Sequence, residues 1–105
     1  MGFDQYHEPA SELSQETRTF ARMIASLSEE CEAINWYEQR ISVEQDAQAK
    51  AIMVAAQEEE FLHFAMDLEF LTRRTPKWKI ALQQVLFKHG DIVANKEKGE
   101  DKVEG

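Results

Sequence analysis

The stretch Gln57-Glu58-Glu59-Glu60-Phe61-Leu62-His63 decides how the rest of the chain is read. It lies inside a segment of strong helix formers, so Glu60 and His63, three positions apart, project from one helix face. With His63 at zero and about 100° per residue, Glu60 falls near about +60°, Ala56 near about +20°, and Ile52 and Phe70 near about −20°. The pair therefore points to the apolar side of its helix. Ionisable ligand-type side chains on a core-facing stripe are costly to bury without a partner. A cation is the partner this spacing suggests, because Glu-x-x-His projecting inward from a helix is the repeated ligand motif of di-iron carboxylate bundles. A lone motif of this length also fits a solvated acidic run ending in a core histidine.

The preceding segment bears on that choice. Pro9, with Glu8 and Glu12 at the positive end of the dipole, suits the first turn of a helix. From Leu13 the series Leu13, Phe20, Leu27, Ile34, Ile41 interleaves with Thr17, Ile24 and Cys31 in steps of four and three, a packing seam. The spacing predicts one helix from Pro9 to Arg40 or Ser42, about 50 Å long at 1.5 Å per residue. Of its clustered glutamates only Glu30 borders the seam, beside Met23 and Tyr37. Glu29 and Glu32 face the other way, as plain solvated surface or a weak outer cation site.

Val43 to Ala47 interrupts the pattern, with Ser42, Glu44, Gln45 and Asp46 available for a turn and its caps. A second helix is predicted from Gln45 or Asp46 to Arg73, antiparallel to the first, with an inner stripe of Ile52, Ala56, Glu59 or Glu60, His63, Met66 and Phe70. Thr75-Pro76 opens a short third helix through Trp78, Leu82, Val85, Leu86 and Phe87, ending near His89-Gly90. Residues 1–95 are thus read as one helical domain that begins with an arm at Met1–His7. Residues 96–105, highly charged, are read as a disordered tail.

Composition agrees with an all-α class: Gly and Pro together number six of 105 residues. The net charge of −8 disfavours a nucleic-acid partner and suits metal cations or basic protein surfaces. The single Cys31 excludes an internal disulfide and suits a reducing cytoplasm, and no apolar run reaches membrane-spanning length. The chain is read as soluble and cytoplasmic.

A di-iron carboxylate bundle takes one Glu from each of two helices and a Glu-x-x-His from each of two more. This chain supplies one of each part, Glu30 and then Glu60 with His63, on two long helices. Two copies about a two-fold axis complete the four-helix bundle, and association also covers a seam too wide for one hairpin. The competing reading is a non-enzymatic helical oligomer in which the same three residues form a buried hydrogen-bond network.

Taken together, His7-Glu8-Pro9, Glu29-Glu30-x-Glu32-Ala33 leading to Trp36-Tyr37 and Gln39-Arg40, Glu59-Glu60-x-x-His63 with Ala65-Met66, and Lys77-Trp78 ahead of Leu86-Phe87 resemble the encapsulated ferritins, ferritin-like ferroxidases held inside encapsulin shells. The resemblance implies a di-iron centre at Glu30, Glu60 and His63 shared across a dimer interface, oxidising Fe(II) to Fe(III) with dioxygen or peroxide as acceptor. It implies that Trp36 and Tyr37 lie beside that centre and that Glu29 and Glu32 form the outer metal site. It further implies a decameric ring of five dimers inside an encapsulin nanocompartment, with iron stored by the shell. Family members commonly end in an apolar docking peptide, whereas residues 96–105 are charged, so encapsulation is expected from the body of the chain and not from its tail.

Overall fold

The computed structural model describes residues 6–105; of the arm expected at Met1–His7, residues 1–5 lie outside that range. Every regular element among the described residues is helical, as the composition requires. A 3-10 turn at Ala10–Glu12 leads to α1 (Gln15–Val43), α2 (Ala47–Arg74), α3 (Pro76–Val85) and α4 (Ile92–Glu104). The chain divides into two compact units, Met1–Leu71 and Thr72–Gly105, the boundary falling inside α2.

In the first unit, the long helix begins later than Pro9. Ser14 is held extended so that its Oγ accepts from the backbone N–H of Thr17 at 3.1 Å, and this cap separates α1 from the turn that Pro9 starts. The Arg18 guanidinium donates to the Ala10 carbonyl and ties turn to helix. At the other end α1 stops before Glu44, and Asp46 caps α2 by accepting from the Ala49 N–H at 2.9 Å. A connection this short forces an antiparallel hairpin. The register is fixed by Gln57, which is buried and donates from Nε2 to the Ile34 carbonyl at 3.2 Å and to Glu38 Oε1 at 2.9 Å.

The inner stripe of α2 is rotated from the one expected. Met53, Gln57, Glu60, Phe64, Asp67 and Leu71 form its centre in unbroken steps of four and three, and Ala56, His63 and Phe70 of the expected stripe are partly covered along its edge. Ile52 and Met66, assigned to the interior from sequence, are 65% and 63% exposed. Hydropathy misplaced the centre of the stripe because the two members it passed over, Gln57 and Asp67, are polar. On α1, Phe20 and Cys31, expected in the seam, are likewise exposed. Leu71 is the one buried apolar side chain among the described residues. A hairpin with so little interior cannot offset the entropy of ordering its backbone.

In the second unit, Pro76 opens α3 as expected, but the helix ends at Val85 and the chain turns through Phe87 and Gly90, both at positive φ. Residues 92–104 then form α4, which corrects the expectation of a disordered tail at 96–105. Asp91 accepts from the Ala94 N–H at 2.8 Å, Lys96 donates to Glu100 at 2.9 Å one turn on, and Lys102 sits at the negative end of the dipole. Gly99 is buried, and a Cβ there would collide with Cβ and Cγ of Gln84 on α3. The charges that suggested disorder are the helix's caps and pairs.

Candidate metal centre

The α1–α2 register set by Gln57 brings Glu30 opposite the Glu60–His63 turn of α2. The structure gathers these three residues: one donor atom from each, two carboxylate oxygens and an imidazole nitrogen, all lie within 4.8 Å of one another. His63 Nδ1 is 3.2 Å from Glu60 Oε1 and 3.9 Å from Glu30 Oε2, while its Nε2 faces Glu59 Oε1 at 4.0 Å. With the proton on Nε2, toward Glu59, the Nδ1 lone pair points into the cluster, the arrangement a ligating imidazole needs. The two inner carboxylates are largely covered, with side-chain exposures of 20% for Glu30 and 22% for Glu60, whereas Glu59 is open to solvent.

Burial pushes the Glu30 carboxyl up to about 7, helped by the hydrogen bonds that its protonated form donates to the carboxylates of Asp67 and Glu60 and by their charge. Crowded carboxylates resist joint ionisation until a cation joins them. An oxygen-rich set with a single imidazole suits divalent first-row metals such as iron and manganese. The donor set therefore fits the metal implied by the sequence.

The other residues expected around the centre are less gathered. Glu29 and Glu32 are exposed, as predicted for residues facing away from the seam, and neither belongs to the cluster. Trp36 is 50% exposed on the outer side of α1. Tyr37 is half-buried, with the Arg40 guanidinium 5.3 Å from its ring centre. One neighbour was missed: Asp67, 9% exposed, whose carboxyl bonds to that of Glu30. Its signal was present, since four residues after His63 it falls at about +40° on the face of Glu60 and His63.

An all-helical ferritin-like fold with a carboxylate–imidazole cluster on its long hairpin is the class that these observations define. Residues 5–89 match the EncFtn-like family, and the chain belongs to that family. It is 46% identical over 84 residues to a ferritin-like protein of Thermotoga maritima, covering 80% of this chain and 74% of that protein. It is 42% identical over 88 residues to an encapsulated ferritin-like protein of Rhodospirillum rubrum, covering 84% of this chain and 63% of that protein, so the match spans less than two thirds of the second relative. Among solved structures, the protein ne0167 of Nitrosomonas europaea superposes with a TM-score of 0.81 at 43% identity, over 85% of this chain and 98% of that one. Among the described residues no helix is long and apolar enough to cross a membrane.

Proposed function

We propose that the chain is half of a ferroxidase centre, completed when a second copy brings its own Glu30, Glu60 and His63 across a two-fold axis. The observation that carries this reading is the position of the cluster. His63 stands on the border between the covered stripe of α2 and an apolar strip, Ile52, Leu62 and Met66, that the single chain leaves exposed. A second hairpin laid on that strip gives four carboxylates and two imidazoles, the ligand inventory of a di-iron bundle. Four negative charges balance two Fe(II) ions. Each Fe(II) then loses one electron, and dioxygen takes the pair with two protons to give peroxide.

Within that centre His63, through Nδ1, and the carboxylates of Glu60 and Glu30 would hold the iron. Glu29 and Glu32 form the outer site that draws Fe(II) in, and Trp36 and Tyr37 flank the centre. The larger assembly is a decameric ring of five dimers inside a cytoplasmic encapsulin compartment, where the shell stores the oxidised iron. The encapsulated ferritin-like relative supports this setting.

Anaerobic addition of Fe(II), followed by air and optical detection of Fe(III), tests the activity. Rapid oxidation is expected from the wild-type chain, with a fall of at least about a hundredfold in His63→Ala and Glu60→Ala. Wild-type rates in both variants would reject the centre and favour the buried polar network.

A further inference from the structure

The geometry points to Asp67 as a further ligand of this centre, taking a divalent, oxygen-preferring cation together with Glu30. The inference rests on the metal reading of the Glu30–Glu60–His63 cluster and adds to it a residue that the Glu-x-x-His motif does not contain.

Asp67 is buried, at 9% exposure, and its Oδ2 has no hydrogen-bond partner. Aspartate is almost never this covered unless paired with opposite charge or a metal. Here the contact its carboxyl makes is with another carboxyl, that of Glu30, itself beside Glu60. Two carboxyl groups in contact crowd negative oxygens together, and a cation between them offsets that crowding. The free Oδ2 lone pairs supply what a cation would use.

Position supports the same conclusion. Glu60, His63 and Asp67 follow at steps of three and four, so all three leave α2 from one face, with Glu30 opposite them on α1. Donor atoms of Glu30, Glu60 and His63 make the inner set. Asp67 adjoins that set from the Glu30 side, so its cation is one that Glu30 also holds. A residue kept only to hold α1 against α2 would be better served by an amide, which bonds a carboxylate without a shared proton. That difference separates a ligand from a structural role.

Mn(II) binding to the full chain, followed by the paramagnetic resonance of the free ion, is the direct probe, with urea unfolding of the metal-free proteins in parallel. Asp67→Asn keeps size and hydrogen bonding and removes the charge. It should weaken Mn(II) binding by about tenfold or more, while the metal-free variant unfolds at the same or a higher urea concentration than wild type. Asp67→Ala should weaken binding as much. Wild-type Mn(II) affinity in Asp67→Asn, or a metal-free Asp67→Asn chain less stable than wild type, would overturn the inference while leaving the cluster intact. Glu60→Gln is the control: if it binds Mn(II) as wild type does, the metal reading fails and the Asp67 inference fails with it.

Discussion

The α1–α2 hairpin and the α3–α4 pair solve different problems with similar residues. On the hairpin the usual placement is inverted: Gln57 and Asp67 are covered while Ile52, Leu62 and Met66 face solvent. In the second unit the polar groups are accounted for locally, Asp91 as a cap, Lys96 with Glu100 as a one-turn pair, and Gly99 as the close contact with Gln84. Covered charge together with uncovered apolar surface marks a hairpin whose missing parts come from outside the chain, a cation for one and a second copy for the other. The second unit also leaves apolar side chains uncovered, Phe87, Ile92 and Val93, but among the described residues it covers no charged group, so the call for a cation is the hairpin's alone.

The comparison breaks first at Ile52. Its side chain is 65% exposed, so Ile52→Glu should leave the helix content of the single chain intact. If the strip is where two hairpins meet, the same change should weaken self-association by about two orders of magnitude, read by sedimentation, and abolish rapid iron oxidation although no metal-binding side chain has been altered. An Ile52→Glu chain that still associates and oxidises iron normally would show the strip to be ordinary surface.

Acidity sharpens the other half of the contrast. The Glu30 carboxyl is raised from 4.5 to about 7 by burial and by its carboxylate neighbours. A raised folded value means that the folded chain holds this proton more tightly than the unfolded one. Its contribution to stability is present in full at low pH and is lost as the pH climbs through about 7. The metal-free protein should therefore lose on the order of 2 kcal/mol per chain between about pH 5 and pH 7.5, measured as a falling urea midpoint. Metal affinity should rise across the same window, because a bound cation displaces that proton. A urea midpoint for the metal-free chain that is flat with pH would deny the crowding of carboxylates.

Gly99 probes the second unit. Gly99→Ala inserts a methyl group against Gln84 and should destabilise the α3–α4 pair by roughly 1–3 kcal/mol, seen as faster amide exchange in α4, with iron oxidation unchanged. The smallest effect is expected at the exposed pair Glu29 and Glu32. Replacing both by Gln should slow oxidation only a few-fold, roughly, and chiefly at low iron and low salt, where attraction of cations at a distance counts. A double variant that runs faster would make them a holding site that delays iron instead of a feeder.

Much of this was legible in the chain. Helix formers and scarce glycine declared the fold class, the Val43–Ala47 break placed the turn, and three-residue spacing put Glu60 and His63 on one face. The covered stripe of α2 was legible only in part: Ala56, Glu60, His63 and Phe70 were placed inward, but hydropathy rewards Ile52 and Met66 and penalises Gln57 and Asp67, the reverse of what burial chose. Asp67 was overlooked for the same reason. The helix at 92–104 was hidden by its composition, since the charges that raise solubility in an isolated tail are also those that cap and pair a helix resting on a buried glycine.

The central claim is that one chain carries half of a metal centre, and mass measurement of the intact protein under anaerobic conditions with stepwise Fe(II) addresses it most directly. The account predicts that iron appears in species with an even number of chains, at about one Fe(II) per chain, and that chelation shifts the population toward smaller, iron-free forms. A single chain that retains iron as tightly as the assembly does, or an assembly whose size and iron content ignore both Fe(II) and chelator, would contradict it.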